Sequence, residues 1–435
     1  MTQPLSQRYI VRFWLPLAAM WLLMALEQPM LSAVIARLAE PRLNLAAYGL
    51  TFSLALIVES PVIMFLTMST ALARSRQSYG LLLRFTHLMA WGLTALHLAV
   101  GLTPAYAFIV GRLIGAPAEV IEPSRVAFLL MTPWAGSIAY RRFWQGVLIR
   151  FGHTQAVALT TAIRLAATAA VALAGLRVGT LSGANLAGVS VSAGVLASAL
   201  AAWLFVRPVV RRNLGEDDPA VAALTWRFLL GFYVPLALTS LINLGGQPII
   251  SFGLSRAALP LASLAVWPVV NGLLFLLRSS GVALQEVIVA LLGDQQSFLA
   301  LRRFSYALAT ALSSLMAIIT LTPLANLWFV GVAGLSGELA QLAGTAAPLL
   351  ILVPGLTALV SWQRGLLVHF NHTSPITVAT ALNVGTLLVT MLLAVALLPV
   401  AGIIAATLAL TASLLVETAY LTWRARARRL TIAWA

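Results

Sequence analysis

The sequence contains no cysteine, and all 27 of its basic residues are arginine. Without cysteine there can be no disulfide staple, thiolate metal site or cysteine nucleophile. Without lysine there is no Walker A lysine, hence no P-loop ATPase in this chain, and no Schiff-base lysine. Any uphill work must draw on an ion gradient or on a partner's ATPase. Charge is scarce too: 9% of the 435 residues are charged and 61% are hydrophobic, with mean hydropathy +0.96. A soluble surface needs about a quarter of its residues charged. Water cannot cover this chain, so lipid must.

A helix needs about 20 mostly apolar residues to cross the hydrocarbon core. Inside it only helices or closed barrels satisfy their own backbones. Barrel strands alternate polar and apolar residues, whereas long unbroken runs such as Val384 to Leu398 and Ile403 to Val416 read as helical. The expected fold is an all-α polytopic membrane protein of twelve transmembrane helices. They are read at 10–36, 45–72, 80–102, 124–149, 155–175, 182–206, 228–252, 261–292, 303–325, 343–368, 375–398 and 401–423. A first helix flanked by Arg8 and Arg12 resembles a secretory signal, but the repeat described below makes it a retained span.

Arginine marks alternate connections. One side carries Arg8, Arg12, Arg74, Arg76, Arg141, Arg142, Arg150, Arg207, Arg211, Arg212, Arg302, Arg303, Arg364 and the tail from Arg424 to Arg429. The other holds fewer: Arg37, Arg42, Arg112, Arg177 and Arg256, with Glu40, Glu119, Glu122 and Glu338 beside them. The positive-inside rule then makes both termini cytoplasmic, in a multi-pass protein of a bacterial inner membrane. The net charge of +15 reads as a topology determinant and not as a nucleic-acid surface.

The two halves of the chain repeat one another. Arg8 to Ala18 resembles Arg227 to Ala237, and the same 219-residue offset pairs Gln28-Pro29 with Gln247-Pro248, Ser32 with Ser251, Arg37 with Arg256 and Pro41 with Pro260. It also pairs Gly146, Phe151, His153 and Thr154 with Gly365, Phe370, His372 and Thr373. Six spans per unit is an even number, so the copies face the same way as two parallel six-helix repeats. The expected divisions are an N-lobe at 1–206, a polar linker at 207–226, a C-lobe at 227–424 and a basic tail at 425–435. Transporters built from such repeats bind substrate between the halves and rock one against the other.

Short patches across nearly the whole chain resemble the progressive ankylosis (ANK) family: Arg12 to Leu17, Glu27-Gln28, Leu45 to Leu54, Gln247 to Arg256, Val400 to Leu408 and Leu415 to Thr418. That resemblance implies a MATE-like member of the multidrug/oligosaccharidyl-lipid/polysaccharide (MOP) superfamily, with twelve helices in a V-shaped two-lobe fold. It further implies export of an organic or phosphorylated anion such as citrate, pyrophosphate or nucleotide. The long charged tail of animal ANK proteins is missing. MATE drug exporters carry an acidic coupling residue in the first helix, and Glu27 stands there.

Ionisable groups deep in hydrocarbon are costly and are functional candidates by default. Here these are Glu27, Glu59, Arg164, Arg278, Glu286 and Glu417, with Gln28, Asn243, Gln247 and Asn271 as weaker polar candidates. Glu59 and Arg278 share the 219 offset. They could pair across a central cleft, or each could be satisfied within its own lobe. Arg164 and Arg278 would give a cavity a positive field suited to carboxylate or phosphate. Glu27, beside Pro29, could bind H⁺ or Na⁺, or simply bond a neighbouring helix. His153-Thr154 and His372-Thr373 read as helix starts, with Gly152 in a turn and Thr154 capping, and not as a metal site.

The function read from these features is a secondary exporter of a small anion. It would work by alternating access, coupled to H⁺ or Na⁺ or facilitated, as a monomer in the bilayer and without cofactor or metal. A cationic drug antiporter and a flippase for a lipid-linked precursor remain open. An enzyme is disfavoured because no paired catalytic set occurs in a loop.

Overall fold

The computed structural model describes residues 5–214, 224–370 and 374–429. Those residues are helical almost throughout, in the following order: α1 Gln7–Ile35, α2 Pro41–Leu72, α3 Arg76–Leu102, α4 Ala118–Leu130 continuing as Pro133–Arg150, α5 Thr154–Val178 and α6 Gly183–Asn213. The second half comprises α7 Trp226–Arg256, α8 Pro260–Leu291, α9 Gln295–Leu321, α10 Gly337–His369, α11 Ser374–Leu397 and α12 Gly402–Arg429. Eleven of them are long and apolar enough to cross a membrane. The other is α4, interrupted at Met131 and Thr132 before Pro133 and carrying Arg125, Arg141 and Arg142. The fourth span begins earlier than the expected residue 124, at Ala118.

Local chemistry accounts for the breaks. Pro29 has no N–H to give the carbonyl of Ala25, and α1 is interrupted at Leu26. Pro61 likewise leaves the carbonyl of Ile57 without its helical donor, and the Ser60 hydroxyl donates to that carbonyl at 2.8 Å. A polar side chain thus replaces the lost bond in an apolar surrounding, and α2 runs on to Met64.

Over the second and third helices of each half the sequence repeat is a structural repeat to the residue. A shift of 219 carries the helical segment Pro41–Ile63 onto Pro260–Val282, Phe65–Leu72 onto Leu284–Leu291 and Arg76–Leu102 onto Gln295–Leu321. It also carries Glu40 onto Leu259, the two non-glycine residues with positive φ (50° and 53°) among the described residues. Each precedes a helix-initiating proline. The left-handed conformation costs such residues about 1 kcal/mol or more, so the tight entry has been kept twice. Capping boxes recur as well, Ser75 with Ser78 and Asp294 with Ser297.

The chain forms two compact units, and they are not the two sequence halves. One joins residues Met1–Ala36 to Phe252–Ala435, and the other is Arg37–Ser251. The lobes expected at 1–206 and 227–424 therefore differ from these units by an exchange of their first helices. In the first unit α1 lies on α8, where Trp14 Nε1 donates to the carbonyl of Ser280 at 3.0 Å, and Gln7 reaches the carbonyl of Ala300 on α9 at 2.8 Å. In the second unit α7 lies on α2, where the Tyr233 hydroxyl donates to the carbonyl of Pro61 at 2.7 Å. Trp14 and Tyr233 are offset mates, and so are Ser280 and Pro61. One anchor has been built twice.

Candidate functional site

Each unit buries a polar cluster in an otherwise apolar bundle. In the Arg37–Ser251 unit it centres on Glu59, 5% exposed, on α2. Trp134 on α4 donates from Nε1 to Glu59 Oε2 at 2.5 Å. The Arg164 guanidinium, from α5, lies 5.3 Å from the centroid of the Trp134 ring. Arg164, Arg142 and Arg141 all act on Glu59 electrostatically. Arg141 is 2% exposed, and the buried Nε of Arg142 has no hydrogen-bond partner among the described residues. Three guanidiniums thus lie within electrostatic reach of one carboxylate, so the cluster carries a surplus of positive charge. An unmet buried donor costs about 1–3 kcal/mol, and a guanidinium's planar fork matches carboxylate and phosphate oxygens.

In the other unit the cluster lies among α8, α10, α11 and α12. Glu417, 3% exposed, accepts from Arg364 Nη2 at 2.5 Å on one oxygen and from Asn383 Nδ2 at 2.9 Å on the other. Arg364 also donates to Thr380 Oγ1 at 3.1 Å, and Arg278 Nε donates to Thr357 Oγ1 at 3.1 Å. Arg278 feels both Glu417 and Arg364. Here one guanidinium is bonded to the carboxylate, a second acts on it electrostatically, and both carboxylate oxygens are engaged.

The ten candidates read from sequence fall into separate places, Glu417 in the cluster just described. Glu59 and Arg164 come together. Glu59 is bonded by Trp134 and Arg278 bonds Thr357, each within its own unit. Glu27, 9% exposed, stands at the α1 break, and its neighbour Gln28 accepts from Asn271 Nδ2 at 3.2 Å. Gln247 is half-buried on α7, Glu286 is exposed on α8, and the Asn243 side chain lies outside the described residues.

Three arginines change their meaning. Arg141, Arg142 and Arg364 were counted among connection charges, yet all three lie inside α4 and α10 and join the clusters. For Arg364 the offset carried a clue, since its mate is Gln145, which bonds Thr160 Oγ1 at 2.7 Å in its own unit. Trp134 and Thr357 had no signal in the sequence. Gly152 adopts the expected turn at φ 80°, but His153 is the N-cap of α5 and makes no side-chain capping bond, so Thr154 begins the helix and does not cap it. His372 and Thr373 lie outside the described residues.

No protein-family model and no curated protein matches the sequence. Solved structures match in fold. A multidrug resistance MATE family transporter of the MOP superfamily, in an inward-facing conformation, aligns with TM-score 0.68 at 14% identity over 94% of this chain and 96% of its own. The lipid II flippase MurJ, inward closed, aligns with TM-score 0.69 at 11% identity over 94% of this chain and 87% of its own. A MOP superfamily transporter from Pyrococcus furiosus Vc1 gives TM-score 0.58 at 16% identity, over 97% and 96%. The chain has the MATE fold along nearly its whole length.

Proposed function

We propose that the chain is a membrane transporter for a small organic or phosphorylated anion. It works by alternating access as its two units move, coupled to H⁺ or Na⁺ or running down the anion's own gradient. The observation that carries this reading is the Glu59 cluster, where three arginines act electrostatically on one carboxylate and the buried Nε of Arg142 has no partner among the described residues. Net charge in an apolar bundle costs several kcal/mol, and an entering carboxylate or phosphate would offset that cost by accepting paired bonds. Glu59 would keep binding from becoming too tight for release. The fold neighbours, all described as transporters or a flippase, support transport in general. The resemblance to ANK proteins supports citrate or pyrophosphate as the first substrates to try.

A cationic-drug antiporter needs a surplus of carboxylate, and in both buried clusters arginine outnumbers it. Glu27 is the residue on which that reading depends. The flippase reading draws on the MurJ likeness and on the fact that a lipid-linked diphosphate would also suit an arginine cluster.

The test is exchange into proteoliposomes holding purified protein and unlabelled citrate or pyrophosphate, with labelled anion outside, and with and without a proton gradient. Exchange should occur and fall about ten-fold in Arg142→Gln, the scale of one charge-assisted hydrogen bond. Movement of a cationic dye that needs Glu27, with no anion movement, would replace this reading by the drug antiporter. Inactivity toward both, with translocation of a lipid-linked diphosphate, would replace it by the flippase.

A further inference from the structure

A cavity of about 510 Å³ opens on the surface of the Arg37–Ser251 unit between α3, α4 and α6. It is independent of the arginine clusters. Each helix contributes a stripe at three- and four-residue spacing, so that one face is presented. Ala90, Trp91 and Thr94 come from α3; Pro133, Gly136, Ser137, Tyr140 and Trp144 from α4; Leu196, Ala199, Leu200 and Trp203 from α6. Small residues make the floor. At Gly136 an added Cβ would stand 2.8 Å from Thr94 Oγ1, so glycine lets α3 and α4 approach closely there. Aromatic rings make the walls: Tyr140 stacks on Trp144 with centroids 5.3 Å apart, and its hydroxyl bonds His87 Nδ1 at 2.6 Å. Trp91 is 70% and Leu200 is 56% exposed. Exposed apolar groups on membrane-spanning helices face hydrocarbon.

The stripes continue into cations at one end only. Arg84 lies one turn before His87 on α3 and is exposed. Arg207 follows Trp203 on α6, with its guanidinium 3.9 Å from that ring's centroid. The two helix ends are level, because Arg76 Nε donates to the carbonyl of Leu214 at 3.1 Å. At 1.5 Å per residue both Arg84 and Arg207 then sit about 11 Å in from that end. Thr94 and Leu196 sit about 27 Å in, so the groove runs for roughly 15 Å. That is half of a hydrocarbon core of about 30 Å, or one leaflet.

We propose that this groove holds an acyl chain of an anionic phospholipid, with Arg207 and Arg84 taking the phosphate. A groove one leaflet long, apolar along its length and cationic at its outer end, has the polarity of such a lipid. Arginine stems lie along apolar surface while their heads reach the headgroup layer, and rings beside them suit the interface.

The full-length protein would be reconstituted in nanodiscs of equal phosphatidylglycerol and phosphatidylcholine, released into mild detergent and weighed by native mass spectrometry. Wild type should retain phosphatidylglycerol in preference to phosphatidylcholine. Arg207→Gln should still retain lipid but with that preference reduced about five-fold, the scale of one basic residue against an anionic headgroup. Ala199→Phe, which fills the floor, should lose the retained lipid while its melting temperature shows that it is folded. If Ala199→Phe fails to fold, the headgroup preference of Arg207→Gln decides alone. No retained lipid in wild type, equal retention of the two lipids, or an Arg207→Gln preference equal to wild type would each overturn the proposal.

Discussion

The two buried clusters occupy corresponding helices, and their charges are arranged in opposite ways. The second helix of the first repeat carries the carboxylate Glu59, and its mate in the second repeat is Arg278. Arg164 is mated with Asn383, Gln145 with Arg364 and Ser198 with Glu417. Helix boundaries, capping boxes and left-handed entries survived the duplication, while the electrostatics did not. In one cluster both oxygens of Glu417 are bonded and Arg364 reaches Thr380 as well, although its buried Nε, like that of Arg142, has no partner among the described residues. In the other, three guanidiniums act electrostatically on a single carboxylate, which accepts a bond from Trp134. We read the first as a structural brace and the second as the place where a ligand is met.

The largest expected effect would break the brace. Glu417→Ala strands Arg364 and should cost about 3–5 kcal/mol, visible as an early loss of the monodisperse peak on heating in detergent. The double variant Arg364→Met with Glu417→Leu should recover most of it, since an apolar pair of similar volume removes the unmatched charge. Failure of the double variant to recover would mean that the cluster does more than brace.

Trp134→Phe tests the open cluster by removing the donor to Glu59, and should cost about 1.5–3 kcal/mol, read by the same assay. Its effect on anion exchange should exceed that of Glu417→Ala after correction for folded protein; the reverse order would exchange the roles assigned above.

The paired anchors sharpen the comparison further. Trp14→Phe and Tyr233→Phe each remove one side-chain donor to a backbone carbonyl, at about 1 kcal/mol apiece. Equal shifts in melting would match the repeated geometry, and a large inequality would show that one unit depends on its incoming helix more than the other.

The smallest effect is a difference in pH response between the capping boxes. Bonds from Ser297, its backbone amide first, hold the Asp294 carboxyl below its ordinary range. A depressed pKa gives stability that is present above the unfolded carboxylate's range and lost as pH falls through the lowered folded value. Asp294→Asn should therefore resemble wild type in acid and differ near neutrality. Ser75→Ala, at the equivalent cap, should show a pH-independent difference.

Much of the fold could be read from the sequence because a membrane imposes a simple length rule and because the repeat is ungapped. Pro29 announced the break beside Glu27, and the pairing of Pro41 with Pro260 announced two helix starts. The site was harder to read. Arg141 and Arg142 lie within α4 and Arg364 near the end of α10, and a linear reading treats such arginines as connection charge; only the packing of α4 and α10 turns them inward. Trp134 carried no sequence signal, and only the packing of α4 on α2 brings Glu59 to its ring nitrogen. The exchange of first helices left no trace in local pattern, since an apolar helix face does not name the helix it will meet.

That exchange bears on how the protein is made. Helix α1 leaves the ribosome first, but α8, the helix it lies on, comes more than two hundred residues later. At about 5–20 residues per second, α1 must wait in the bilayer for some tens of seconds before its partner exists. The place beside α2 stays unfilled until α7 arrives. A nascent chain stopped at the linker would thus hold one helix without its partner and one groove without its helix, and the first half of this gene does not encode a unit that can finish folding by itself.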